Sequence, residues 1–398
     1  MMNEYTSQPS LDVARARAET PGCDRVVHFN NAGAALMPRP VLDAVVGHLQ
    51  TEALIGGYEA AEREHTAIER VYAATATLLN CDQAEIAIVE NATRAWDMAF
   101  YSIPFQPGDR ILTAQAEYAS NYLAFLQVAR QSGAVVEVIP SDERGQVSVA
   151  ALQAMIDERV KLIAITHVPT NGGLVNPAAE IGAVARETGI CYLLDACQSV
   201  GQIPIDVAAI GCDILSATGR KFLRGPRGTG LLYVRQEWVE RLEPPFIDLH
   251  AATWTGRDSF VIRPDARRFE NWETNYAGKV GLAVAIDYAL GWGLMPIWER
   301  ITYLAGRLRA RLRDLPGVAV HDLGAIQCGI VSFTVAGKPA AVVRDTLRPQ
   351  NINVSIATLP STRLDMEARG LEELVRASVH YYNTEDEIER LCMALAAL

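Results

Sequence analysis

The sequence has no basic excess, no long apolar run and no paired-cysteine motif. Lys and Arg number 36 against 47 Asp and Glu, a net charge of −11. A phosphate-binding surface needs the opposite balance, so no nucleic-acid partner is expected. No apolar run approaches the roughly 20 residues of a membrane helix, so no membrane contact is expected. The start, Met1 to Ser10, has neither the basic head nor the apolar core of a secretory signal. A soluble, cytoplasmic protein is the expectation. The seven cysteines are an odd number and contain no C-x-x-C. They make no disulfide framework and no recognisable zinc motif, so no metal is expected. Internal repeats and low-complexity linkers are also absent.

What is present is an ordinary globular composition, 49% apolar and 21% charged over 398 residues, enough for two or three domains of about 100–200 residues. Through the middle, apolar strand-like runs alternate with amphipathic helical stretches. Candidate strands are Glu85–Val89, Arg110–Thr113, Val135–Ile139, Leu162–Thr166, Tyr192–Leu194, Ile214–Ser216 and Gly230–Val234. Helical patterns lie between them at Ala92–Ser102, Ser120–Gln131, Val149–Met155 and Pro177–Glu187. Such alternation predicts an α/β fold, with a mostly parallel sheet of seven strands covered on both faces. After about residue 285 the pattern changes. A long helix over Pro296–Leu315 precedes strand candidates Val318–His321, Gly329–Thr334, Asn353–Ile356 and Ala377–His380. The expected organisation is an N-terminal arm (1–28), a large domain (29–285) and a smaller α+β domain (286–398).

Lys221 stands between a hydroxyl-rich turn, Ser216-Ala-Thr218-Gly-Arg220, and a glycine-rich turn, Arg224-Gly-Pro-Arg-Gly-Thr-Gly230. Small residues let backbone approach a bulky ligand. Flanking positive charge and partial burial lower a lysine's pKa, as an amine nucleophile requires. Asp195 ends the apolar strand Tyr192-Leu-Leu-Asp195 and is followed closely by Gln198. A lysine that forms a Schiff base and an acid that pairs with a pyridinium nitrogen are what a pyridoxal phosphate (PLP) enzyme needs. Thr93, Tyr118, Thr170, Asp195 and Lys221 all follow strand candidates, at the sheet edge where α/β folds bind ligands.

Asp195-Ala-Cys-Gln198-Ser-Val-Gly201 resembles the Asp-Gly-Ala-Gln-Ser-Val-Gly of class V aminotransferases and cysteine desulfurases. The likeness runs from about Phe29 to Leu391. It implies fold-type I architecture, PLP as cofactor, a small amino-acid substrate and a homodimer with its sites at the subunit interface. In that family Lys221 would be the Schiff-base lysine, Asp195 the partner of the ring nitrogen and Gln198 a donor to the ring's phenolic oxygen. Ala92 and Thr93, at a helix N-terminus, would hold the phosphate with Thr218 and Arg220. Arg220 replaces the family's usual His. Tyr118 would stack on the ring, where desulfurases carry His. Thr170 or Asn171 would reach the cofactor or substrate. Arg376 would clamp the substrate carboxylate, with Asn31 beside it. Asn275 would serve the cofactor, in a segment that relatives lend across a dimer together with Gly56-Gly-Tyr58. Arg94, Trp96, Arg363 and Trp272 are expected to shape the side-chain pocket.

These motifs indicate PLP chemistry without naming the reaction. Desulfurases keep a cysteine in the loop before the carboxylate-binding arginine. Here that stretch, Val354 to Glu367, has none. A hydroxyl cannot replace a thiolate as the acceptor of sulfur. The expected reaction is therefore Cβ–S cleavage of cysteine or a cysteine conjugate. The Asn30-Asn31-Ala-Gly start and the Trp272-Glu-Thr-Asn275 stretch also resemble isopenicillin N epimerase-like proteins, so transamination or epimerisation is the alternative. Persulfide-forming desulfuration ranks below both.

Overall fold

A computed structural model describes residues 11–398. Its largest sheet contains β1 (Ile86–Val89), β2 (Arg110–Thr113), β3 (Val135–Val138), β4 (Val160–Thr166), β5 (Cys191–Asp195), β6 (Ile214–Thr218) and β7 (Gly230–Val234). The spatial order is β1-β7-β6-β5-β4-β2-β3. All pairings are parallel except those of β7, which runs antiparallel to β6 and β1. A crossover helix cannot fit in the short link from Thr218 to Gly230, so β7 must turn back along β6. The link carries Lys221. Strands β1, β2, β5, β6 and β7 are buried throughout, because helices cover both faces. The edge strand β3 is more open.

The other six strands share one direction, so the ends of β1, β2, β4, β5 and β6 open on one side. Helices begin close behind two of them, at Ala92 and Ala119.

A hairpin of β8 (Ala252–Gly256) and β9 (Ser259–Ile262) follows. No apolar period announces it, because neither strand buries a face. Two helices, Tyr276–Trp292 and Leu294–Arg313, then lead to a four-stranded antiparallel sheet. It contains β10 (Val318–Val320), β11 (Ile330–Val335), β12 (Ser355–Thr358) and β13 (Glu373–Ser378), in the order β10-β11-β13-β12. The expected strand over Asn353–Ile356 is broken at Val354. Ile352–Asn353 instead pairs in parallel with Val27–His28, and Ser355 starts the pairing with Arg376. The last strand lies earlier than its apolar pattern suggested, since Glu373 and Leu374 pair with Thr358 and Ala357. It ends before His380, whose N–H donates to Asn383 Oδ1 at 2.8 Å.

The helix Val13–Ala18 is capped by Asp12 and packs toward the chain's other end, where Arg17 donates to the Tyr382 carbonyl and Glu387. The first ten residues of the expected N-terminal arm lie outside the described range. Among the described residues no single helix is long and apolar enough to cross a membrane.

Candidate active site

The strand ends enclose a cavity of about 230 Å³. Thr93, Tyr118, Thr170, Asp195, Gln198, Thr218, Arg220 and Lys221 are among the residues that line it. The sequence therefore brings its principal site residues to one place.

Lys221 is held by the turn that reverses the chain between β6 and β7. Gly219 N–H donates to the Thr229 carbonyl at 3.1 Å, and Arg224 N–H to the Lys221 carbonyl at 2.9 Å. Arg224 takes the left-handed conformation, φ 61°. Its guanidinium is anchored by the Leu36 carbonyl and the Tyr381 hydroxyl. Two glycines admit this turn. A Cβ on Gly201 would come within 2.4 Å of the Phe222 backbone, and one on Gly230 within 2.4 Å of the Asn91 backbone. Burial lowers the Lys221 pKa from the usual amine range, with Arg220 and Arg376 adding to the effect while Cys197 and Asp195 oppose it. The unprotonated amine is the form that acts as nucleophile and base.

Asp195 is buried at the end of β5. Its Oδ1 accepts from Cys197 N–H and its Oδ2 from Asn121 Nδ2, both at 2.9 Å. Ala92 and Thr93 open the helix Ala92–Phe100, which Asn91 caps by accepting from Arg94 N–H at 2.9 Å. First-turn N–H groups and the helix dipole favour an anion there. Arg220 donates to the Gly33 carbonyl. Tyr118 stands before the helix Ala119–Ser132 and is 36% exposed.

Arg376 is buried on β13. Its Nη1 donates to the carbonyl and the hydroxyl of Thr170, each at 2.9 Å. Its Nε has no partner. Burial, then the nearby Arg220, pushes its pKa down to about 10. No carboxylate compensates it among the described residues.

Several expectations need correction. Asn31 does not face the cavity. It is fully buried, its Nδ2 donates to the carbonyls of His28 (3.1 Å) and Ser378 (2.7 Å), and its Oδ1 accepts from Tyr382. Successive side chains of an extended segment point opposite ways, and the neighbouring Asn30 lies 3.5 Å from Arg376 Nη2. Asn171 likewise turns away, toward Thr362 Oγ1 at 2.8 Å and the Thr358 carbonyl at 3.3 Å, leaving Thr170 in the cavity. Gln198 is present, but its Nε2 already donates to the Ala32 carbonyl and Thr170 Oγ1, while its buried Oε1 has no partner. Serving as a donor to a ring oxygen requires turning the amide over.

Asn275 caps its own helix through Gly278 N–H at 2.7 Å and does not line this chain's cavity. Trp96 packs in the core against Phe125. Arg94 lies over Phe246, Arg363 pairs with Glu367, and Trp272 is exposed. The sequence reading missed Glu117 and Asn121. Their four-residue spacing beside Tyr118 was the available signal, and the polar cluster they make is buried behind Asp195.

A family description, aminotransferase class V, matches residues 27–391. The chain belongs to this family. It is 32% identical to a probable cysteine desulfurase of Xylella fastidiosa (strain Temecula1), covering 97% of this chain and 95% of that protein. The class V chain superposes on the apo cysteine desulfurase of Thermococcus onnurineus NA1 with a TM-score of 0.90 at 26% identity, covering 98% and 99% of the two chains. It is also similar to the cystine C–S lyase C-DES in complex with its product cysteine persulfide, at a TM-score of 0.85 and 25% identity over 95% and 99% of the chains. A mutant of the same lyase has been seen with glycine covalently linked to PLP. The class V architecture here is that of fold-type I PLP enzymes.

Unpartnered polar atoms test the fit to such a cofactor. Gln198 Oε1 and Arg376 Nε are buried with no partner in the protein, so each keeps hydrogen-bonding capacity for a ligand. Together with the Ala92 helix terminus, the acid and the lysine, they fit a polar ligand that carries an anionic end.

Proposed function

We propose that this class V enzyme uses PLP to cleave the Cβ–S bond of cysteine or a cysteine conjugate. Bound PLP supplies a ring that takes up the electron pair left when a proton leaves the substrate Cα. Lys221 would hold the cofactor's aldehyde carbon. Asp195 would face the ring nitrogen, and Ala92, Thr93, Thr218 and Arg220 the phosphate. Tyr118 would cover the ring face. Arg376 would orient the substrate through its free Nε–Nη2 edge, a fork that matches a carboxylate. Lys221 Nζ would then take the Cα proton, and the sulfur group would leave from Cβ with its bonding electrons. With one water, the thioether yields a thiol, pyruvate and ammonia.

One observation carries the choice of lyase over persulfide chemistry. The segment from Val354 to Glu367 has no thiol, and Cys197 is the cysteine that lines the cavity. Burial first, then Asp195, pushes the Cys197 pKa far up. The other six thiols are also raised by burial. A thiol held neutral is a poor sulfur acceptor. The likeness to C-DES supports the same reading, and the relatives named cysteine desulfurase also support cleavage at this bond.

A homodimer is part of the proposal. Trp254, Phe260 and Val261 on the hairpin and Trp272 beyond it are exposed, and large exposed apolar side chains favour a partner surface.

Borohydride reduction of the PLP-loaded protein followed by peptide mass mapping tests the site, and cystine turnover tests the reaction. The expected result is PLP fixed on Lys221, with turnover lost in Lys221→Ala. Label on another lysine, or full turnover in the variant, would overturn the assignment.

A further inference from the structure

Glu117 lies buried behind Asp195, with no part in the chemistry above. Its carboxylate collects an unusual number of donors. Oε1 accepts from Tyr118 N–H and Asn121 Nδ2, both at 2.9 Å, and from the Thr166 hydroxyl. Oε2 accepts from the Thr113 hydroxyl at 3.0 Å and Thr166 N–H at 3.2 Å. Helix packing and capping need none of this. Asn121 Nδ2 has two hydrogens. One goes to Glu117, and the other to Asp195 Oδ2 at 2.9 Å. A single amide thus ties two carboxylates together, and the second is the acid that faces the ring nitrogen in the PLP reading on which this inference rests.

We infer that Glu117 is a positioning residue that, through Asn121, fixes the orientation of Asp195 and places a second negative charge behind the cofactor's ring nitrogen. A carboxylate accepting several hydrogen bonds is rigid, and Asn121 passes that rigidity to Asp195. An added negative charge near the ring favours the protonated nitrogen. The titratable or charged groups facing Glu117 are Asp195 on β5, Tyr118 and Tyr122 at the adjoining helix, and Arg363 across an apolar cavity that Glu117 helps to line. Among the described residues no Lys, Arg or His forms an ion pair with it. Burial, opposed by its hydrogen bonds and reinforced by Asp195, raises its pKa to about 7. Glu117 therefore gains its charge as pH rises through that value.

The test uses PLP carrying nitrogen-15 in its ring, bound to the full-length protein without substrate, and follows the ring-nitrogen NMR signal against pH. The wild type is expected to show an inflection near pH 7. In Glu117→Gln the inflection should vanish, with the signal displaced toward the unprotonated position. Asn121→Ser leaves the other four donors of Glu117 in place. It breaks the link to Asp195 but keeps the Glu117 charge, so the inflection should persist while the signal moves part-way toward the unprotonated position, and the double variant should be displaced no further than Glu117→Gln alone. An unchanged curve in Glu117→Gln, or displacements that add, would overturn the inference while leaving PLP binding intact. A wild-type protein that binds no PLP would instead overturn the reading beneath it.

Discussion

Replacing Arg376 with Met keeps the buried stem and removes the guanidinium. The structure gives both consequences a size. Nη1 is committed to Thr170, whereas Nη2 has only Asn30 Oδ1 at 3.5 Å and Nε has nothing. The free edge would make a paired, charge-assisted contact to the substrate carboxylate. Removing one partner of such a buried pair costs about 3–5 kcal/mol. At about 1.4 kcal/mol per tenfold, kcat/KM for a cysteine S-conjugate should fall by roughly a hundred- to several-thousandfold. Stability should respond quite differently. Burial pushes the Arg376 pKa from 12.5 down to about 10, which at about 1.4 kcal/mol per pKa unit costs the folded state roughly 3 kcal/mol. The group is a base whose folded pKa is depressed. Its cost is therefore complete at neutral pH and fades only as pH rises from about 10 toward 12.5. The variant escapes that cost but leaves the Thr170 carbonyl and hydroxyl without their donor, a loss of about 1–3 kcal/mol. The two nearly cancel, so urea unfolding of the apo-protein at pH 7 should change by less than about 2 kcal/mol. A kcat/KM within threefold of wild type would refute the carboxylate role. A stability loss above about 4 kcal/mol would refute it too, because Arg376 would then be a structural residue.

Two further outcomes are expected. Lys221 must be unprotonated to take the Cα proton, and burial lowers its pKa. The acid limb of kcat, which reports the substrate complex in which this amine is free, should therefore lie below the ordinary amine range, with activity lost as pH falls through it. A limb near pH 10 or above, where free lysines titrate, would count against Lys221 as the base. Cys197→Ser should retain turnover within about threefold, because the neutral thiol donates nothing to the chemistry. Complete loss with normal PLP absorbance would show that this sulfur takes part.

Much of the site could be read in the sequence because it is built from short continuous segments. Asp195 and Lys221 each follow an apolar strand, and the strand ends share one side. Strands Arg110–Thr113 and Gly230–Val234 have the expected limits, and both are buried throughout. The misses arose where pattern and pairing diverge. Asn30 and Asn171 show that a motif locates a segment but not which side chain of a neighbouring pair faces inward. That depends on the bridge from Asn30 to Ser378 and on Thr362 capturing Asn171. The hairpin at Ala252–Ile262 has no buried face from which to read a period. The Glu117–Asn121–Asp195 link joins residues far apart in sequence, so only the fold could reveal it.

The most direct test of the central claim is a product balance. PLP-loaded protein is incubated with cysteine, cystine, cysteine S-conjugates and sulfoxides, without a keto acid, and pyruvate, ammonia and alanine are quantified. The account predicts pyruvate and ammonia in equal amounts, abolished by Lys221→Ala, with no alanine. Alanine with released sulfur would contradict it and restore persulfide-forming desulfuration. No turnover of any of these substrates would also contradict it, and the search would move to transamination with keto acids and to epimerisation followed by Cα deuterium exchange.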